Sequence, residues 1–170
     1  MFEIETNRLL LRKFRSGDEG DAFEFCSDEQ LNLDDGGTHA LTEMNADFFR
    51  LFSLFLEQDR YAIELKSENK VIGIINLMDT DRAVPSYEIG FLINRAYQRH
   101  GYCFEAVEAI VSQWFAKTDT RMFLARHFPH NEASRCLIQK LGFTYEGTQH
   151  NAVDHATLGL VDLICYYKEK

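Results

Sequence analysis

Six consecutive residues, Gln98-Arg99-His100-Gly101-Tyr102-Cys103, have the types and spacing best suited to chemistry. A glycine in a short polar turn that opens a helix leaves backbone N–H groups unbonded at the helix N-terminus. Those groups, together with the helix dipole, favour an anion, most often a phosphate. A glycine can also serve a turn for its conformation alone, so these residues by themselves leave both readings open. His127-x-x-His130 has a ligand-like spacing, but no Cys or carboxylate cluster accompanies it. A surface loop pair is the expectation there, and no metal site is expected. Cys26, Cys103, Cys136 and Cys165 show no paired spacing and read as reduced core or lining thiols of a cytoplasmic protein.

The elements that must position the turn can be read on both sides of it. Glu88 to Ile93 reads as a buried strand and Phe104 to Lys117 as an amphipathic helix. In that helix Phe104, Val107, Ile110, Val111, Trp114 and Phe115 recur at helical spacing, which gives one sheet-facing side. Arg8 to Phe14 is a short strand. Ser16-Gly17-Asp18-Glu19 has the form of a capping box for a helix carrying Ala22, Phe23, Phe25 and Cys26. Leu33 to Thr38, with paired acids and paired glycines, is expected to be a loop. Thr42 is expected to cap a second helix running to about Glu57. That helix has too many apolar residues for one narrow stripe, so it is covered by the core, a cleft or a partner.

Tyr61 to Lys66 and Val71 to Leu77 flank a short polar turn as a hairpin. Arg121 to Arg126 is a strand; a helical crossover joins it to the strand before the turn, so the two should run parallel. Asn131 caps a helix through Leu141, and Gly142 is its left-handed stop. Phe143 to Gly147 and Leu158 to Tyr167 are the last strands, with Gln149 to Thr157 a polar loop between them. His39, His150 and His155 fall in the expected loops and take no role.

At 170 residues, 45% apolar and with fourteen phenylalanines, the chain is expected to be one domain, residues 1–170, with a sizeable core. The net charge of −9 opposes binding to nucleic acid or to anionic membranes, and neither partner is expected. Between Ser16 and Phe49 stand ten acidic residues and no Lys or Arg. They form either solvated faces or a wall that attracts a cation.

The element order resembles that of the GNAT superfamily of N-acetyltransferases, especially its branch acting on protein α-amino groups and small amines. Three local patterns carry the resemblance over nearly the whole chain. They are Glu5-Thr6-Asn7-Arg8-Leu9-Leu10-Leu11-Arg12, the central Gln98-x-x-Gly101-Tyr102-Cys103, and Asn131-Glu132-Ala133-Ser134 followed by Lys140-Leu141-Gly142-Phe143. The central pattern departs from the family's at one place, where Cys103 stands instead of Gly or Ala. The resemblance implies a mixed α/β (α+β) fold. It has a central twisted mixed sheet of about six to seven strands, about four helices, and two central parallel strands that splay apart.

It also implies acetyl-CoA as co-substrate. Its pyrophosphate would rest on the amides of Arg99, Gly101, Cys103 and Phe104, with Gln98, Arg99, His100 and Tyr102 around it. The pantetheine arm would bond the main chain at Phe91, Leu92 and Ile93, and Asn131 would hold its side. The reaction would be direct attack of a neutral amine on the thioester, with the oxyanion on the Leu92 amide. Glu88 would be the base, directly or through water, or else a carboxylate that orients the amine or serves structure. Ser134 would protonate the leaving thiolate, or be a local hydrogen-bonding residue of its helix.

The family also places the acidic Ser16 to Phe49 segment beside the incoming amine. The expected acceptor is therefore cationic, a peptide N-terminus or a small molecule, and the protein a monomer or homodimer. The alternative is a CoA-binding sensor or interaction module without turnover.

Overall fold

A computed structural model of the chain describes residues 2–57 and 60–170. The strands are β1 (Ile4–Glu5), β2 (Leu9–Lys13), β3 (Arg60–Leu65), β4 (Lys70–Asp79), β5 (Ser86–Ile93), β6 (Met122–His127), β7 (Thr144–His155) and β8 (Gly159–Glu169). The helices are α1 (Glu19–Cys26), α2 (Glu29–Gly36), α3 (Ala46–Glu57), α4 (Tyr102–Lys117) and α5 (Glu132–Lys140), with a single 3₁₀ turn at Arg95–Tyr97. All eight strands form one mixed sheet in the order β1-β2-β3-β4-β5-β6-β8-β7. Among the described residues the sheet thus has one strand more than the largest number expected, and there are five helices instead of four.

Every neighbouring pair is antiparallel except β5 and β6. Those two pair only from Ser86↔Met122 to Glu88↔Leu124. Beyond Glu88, β5 runs on to Ile93 while β6 diverges, and the sheet opens there. The α4 crossover accounts for the parallel direction. Its buried side is Ala106, Val107, Ile110, Val111 and Trp114; four of these belong to the stripe the spacing predicts, whose other members, Phe104 and Phe115, are half-buried against the same core.

Apolar cores lie on both faces of the sheet. One packs α4 and Ile138 of α5 against Ile63, Ile72, Ile75, Ile89 and Phe123. The other packs Phe25 of α1 and Phe48, Phe52 and Phe55 of α3 against Ala62, Val71, Ile74 and Leu92. β4 serves both by the alternation of its side chains, and it carries a bulge: Ile63 faces Gly73 and Glu64 faces Val71, which leaves Ile72 as an extra residue. After a bulge the side-chain phase reverses. Gly73 beside it has a steric reason, since a Cβ there would lie 2.3 Å from the Leu92 carbonyl oxygen.

Several local expectations are corrected. The segment from Leu33 is not wholly loop, because α2 continues to Gly36. The Asp28 carboxylate accepts the Leu31 amide at 3.0 Å, and Gly37 stops the helix at φ 68°. The glycines therefore end a helix rather than prevent one. Ser16 does not cap α1. Asp18 holds the cap position, but its carboxylate is turned onto Arg12, while Glu19 reaches back to the Gly17 amide at 2.7 Å. Asn45, not Thr42, caps α3, with its side-chain oxygen accepting the Asp47 amide at 3.0 Å. Arg8 to Phe14 is not the whole first strand, because β1 pairs with β2 ahead of it. Gln149 to His155 is strand rather than loop. It is polar because β7 is the edge strand, largely exposed and paired only with β8. The histidine expectations change with it. His150 and His155 lie on β7, His155 is buried, and His127 is the buried last residue of β6. Among the described residues, no helix is long and apolar enough to cross a membrane.

Candidate functional site

The polar turn and α4 meet at Gly101, which adopts φ 81°, and Arg99 before it also lies in the left-handed region at φ 66°. Among the described residues, no backbone or side-chain acceptor meets the amides of residues 99 to 104; the first α4 bond is Glu105 N–H to Gly101 O at 3.1 Å. The α4 N-terminus thus presents a run of unbonded donors with the positive end of its dipole.

The N-terminal pattern holds this turn in place. Glu105, in the first turn of α4, accepts from the Thr6 hydroxyl at 2.6 Å, the Arg8 amide at 3.0 Å and Arg8 Nε at 2.7 Å. Arg8 Nη1 donates to the His100 carbonyl at 2.9 Å, and its guanidinium lies 4.4 Å from the Tyr102 ring centre. Burial would raise the Glu105 carboxyl, but the Thr6 and Arg8 hydrogen bonds outweigh it and hold the carboxyl below its ordinary range.

Between the end of β5, α2, α4 and α5 lies a cleft of about 400 Å³. Phe91, Leu92 and Ile93 form one wall, Gln98, Arg99 and the residues from Gly101 to Phe104 another, and Asn131 and Ser134 a third. His100 does not reach it. Its ring stacks on Tyr102, and its Nδ1 lies 2.8 Å from the Gln98 carbonyl.

The Asn94 amide bonds Ile72 O on β4 at 2.8 Å, which sets the phase of β5. Antiparallel alternation then directs the Leu92 amide to β4 and those of Phe91 and Ile93 into the gap that β6 leaves. The expected Leu92 donor is therefore turned away from the cleft, and Phe91 has the amide that faces it.

Asn131 caps α5 with its Oδ1 on the Ser134 amide at 3.0 Å, as its position predicts. Its Nδ2 donates to the Asp34 carbonyl at 2.8 Å. The side chain thus ties the end of α2 to the start of α5, and both ends of its amide are occupied. The Ser134 hydroxyl has no hydrogen-bond partner among the described residues. Burial, then the charge of Asp35, pushes the Cys103 thiol up to about 12. It remains a neutral thiol at physiological pH and is a poor nucleophile. All four cysteines are free; Cys26 and Cys165 are buried, but Cys136 is exposed rather than a core thiol.

Glu88 lies outside this cleft, in a polar cavity of about 380 Å³ with Asp79, Asp81, Arg82, Arg126 and Glu146. Both its oxygens accept from Arg126, Nε to Oε1 at 2.8 Å and Nη2 to Oε2 at 2.7 Å. Arg126 Nη1 in turn donates to Gln149 at 3.1 Å. Sequence reasoning missed Arg126. The signal for it is the parallel register, which sets Glu88 opposite Leu124 and so beside Arg126.

Half of the acidic segment serves structure. Asp18 binds Arg12, Asp21 accepts the Val71 amide, Glu24 binds Lys70 and Asn94, Asp28 binds Arg95, and Glu29 binds His39 and the Ala40 amide. Of the ten, Asp34 and Asp35 line the main cleft. Among the described residues, no group of three or more His, Cys, Asp or Glu side chains is placed to hold a metal ion.

A family model described as the acetyltransferase (GNAT) domain matches residues 8–144. An uncharacterized N-acetyltransferase of Bacillus subtilis, YnaD, is 30% identical over 146 residues, covering 85% of this chain and 84% of that protein. The [ribosomal protein uS5]-alanine N-acetyltransferase of Escherichia coli is 30% identical over 81 residues, 47% of this chain and 42% of that one. The crystal structure of a GNAT-family acetyltransferase from Bacillus anthracis superposes with a TM-score of 0.88 at 25% identity, covering 99% of this chain and 98% of the other. With the splayed strand pair and the matched model spanning most of its length, the chain belongs to the GNAT family of acetyltransferases.

Proposed function

We propose that this protein transfers the acetyl group of acetyl-CoA to a primary amine by direct attack. One observation carries the reading. The gap between β5 and β6 opens onto the unbonded amides of residues 99 to 104, so a strand-like arm and an anionic head fit one continuous cleft. The pyrophosphate rests on those amides, and the pantetheine arm bonds the main chain at Phe91 and Ile93. The tetrahedral oxyanion takes its hydrogen bond from the Phe91 amide. Cys103, with its thiol raised, forms no acyl intermediate. Ser134 donates to the leaving sulfur from the opposite wall. The family match supports residues 1–170 acting as one acetyltransferase domain. Four free cysteines support a reducing, cytoplasmic setting.

The acceptor approaches from the Glu88 side. Glu88 is three residues before Phe91 on the same strand, about 10 Å away. Its cavity holds four carboxylates against two guanidiniums, which favours a cationic amine. A peptide N-terminus and a small polyamine-like or aminoglycoside-like molecule both fit that chemistry. The named uS5-alanine relative supports the first of them. Glu88 either orients the amine or takes its proton through water; an ionised carboxylate has lone pairs beyond the two that Arg126 occupies.

A second reading has one observation in its favour. The bidentate hold on Glu88 suits a CoA-binding sensor that needs no base. Thiol release from acetyl-CoA across N-terminal peptides, polyamines and aminoglycosides separates the two, with Glu88→Gln measured alongside. Loss of about 10²–10³ in kcat marks a base, whereas a raised KM at constant kcat marks an orienting group. Tight CoA binding with no turnover on any amine would support the sensor.

A further inference from the structure

β4 and β5 each contain one glycine, and only the first has a steric reason. Gly73 is required by the Leu92 carbonyl. Gly90 sits inside β5, with φ outside the left-handed region and in unbroken register with Asn76 of β4. A Cβ at Gly90 would meet nothing closer than the Asn76 Cβ and Nδ2, both at 3.8 Å, which is ordinary contact. The fold therefore has room for a side chain there and does without one. A glycine inside a strand weakens it. Where it serves no bulge or turn, it suits the close approach of another molecule to the backbone.

Glu88, Gly90 and Leu92 alternate onto one face of β5. Leu92 lines the main cleft and Glu88 the polar cavity, so Gly90 stands between the two. Opposite them on β4, Ile74, Asn76 and Met78 share that face. Asn76 is half-buried, and its Oδ1 is shut off from water without a hydrogen-bond partner. Its Nδ2, the end nearer Gly90, bonds no described residue either. A buried oxygen without a donor destabilises the fold by itself. Because neither end of the amide has a partner among the described residues, a half turn about Cβ–Cγ breaks no bond and brings Oδ1 to the glycine.

Resting on the acetyl-transfer reading above, we propose that Gly90 and Asn76 form the passage from the polar cavity to the thioester, and that Asn76 Oδ1 holds the attacking amine there. Gly90 directly precedes Phe91, whose amide faces the gap, so an amine over the bare Gly90 Cα stands beside the reacting carbonyl. The nitrogen bonds the thioester carbon, the carbon–sulfur bond breaks, and one proton passes in net from the nitrogen to the leaving sulfur. As the nitrogen takes on positive charge its N–H groups become stronger donors. The bond to Asn76 then strengthens toward the transition state. Asn76 itself neither gains nor loses a proton.

The test combines calorimetric titration of acetyl-CoA, a thermal melt and thiol release with the N-terminal peptides, polyamines and aminoglycosides named above. Gly90→Ala is expected to lower kcat/KM for the amine by about tenfold and to leave the acetyl-CoA Kd within about twofold. The same variant should melt about 1–3 °C higher, because an alanine fits the strand. Asn76→Ala, which removes the amide without narrowing the passage, is expected to lower kcat by about tenfold at unchanged acetyl-CoA KM. Asn76→Asp keeps an acceptor oxygen and should stay within about threefold of wild type. Unchanged kcat/KM in Gly90→Ala, a lower melting temperature, or a parallel loss of acetyl-CoA binding would overturn the passage. Equal losses in Asn76→Ala and Asn76→Asp, or none in Asn76→Ala, would overturn the role of Oδ1. Failure of the wild type to acetylate any amine of the panel would overturn the acetyl-transfer reading itself, and this inference with it.

Discussion

Cys103 and Ser134 line the same cleft and differ in what each can do for a proton. The Cys103 thiol, raised to about 12 by burial and then by Asp35, is neither nucleophile nor acid at neutral pH. Cys103→Ala should therefore keep kcat within about threefold, and initial rates should show sequential rather than ping-pong behaviour. An acetylated enzyme in the mass spectrum would contradict this. Ser134 has a free hydroxyl but a high intrinsic pKa, so Ser134→Ala should lower kcat by about tenfold and leave the acetyl-CoA KM unchanged. The place of Asp34 and Asp35 on the cleft wall could not be read from Asp34-Asp35-Gly36-Gly37, whose composition suggests a solvated loop.

At the scale of elements, two polar clusters fix the helices that form the site. Arg12 is buried on β2 between Asp18 at the start of α1 and Glu64 on β3, with contacts of 2.6 to 2.9 Å. Burial alone would lower the Arg12 pKa, but hydrogen bonds to Asp18 and Glu64 prevail and raise it. Arg12→Ala would strand two buried carboxylates and should cost about 3–5 kcal/mol in a denaturant melt. Thr6, Arg8 and Glu105 form the second cluster, which clamps the α4 N-terminus. Gly101 at φ 81° completes the turn. Gly101→Val should weaken acetyl-CoA binding by about tenfold or more in a binding titration, because a β-branched residue is strained there and moves the amides. The periodic or capped elements were legible in the chain: the α4 stripe, the Asn131 cap and the Gly142 stop. The splayed pair followed from the family resemblance. β7 was missed because an exposed edge strand has no apolar alternation to show.

For the whole molecule, the net charge of −9 understates how local the useful charge is. Much of the acidic Ser16 to Phe49 segment is spent on ion pairs and caps that hold α1 and α2 to the sheet. Two of its acids, Asp34 and Asp35, line the main cleft, and four other carboxylates, Glu88 among them, line the second cavity. Acetyl transfer to cationic amines should therefore outpace transfer to neutral ones and slow as salt is raised toward 1 M, where screening acts over about 3 Å. The Glu88–Arg126 pair could not be foreseen from a 38-residue separation without the β5–β6 register.

The central claim is that the gap between β5 and β6 and the amides at the α4 N-terminus form one acetyl-CoA cleft that serves acetyl transfer to an amine. The most direct measurement is mass-resolved product formation from acetyl-CoA with a panel of N-terminal peptides, polyamines and aminoglycosides. The account predicts one acetyl group gained by an amine for each CoA thiol released, with the yield collapsing in Gly101→Val. Stoichiometric binding of acetyl-CoA with no acetylated amine anywhere in the panel would contradict it.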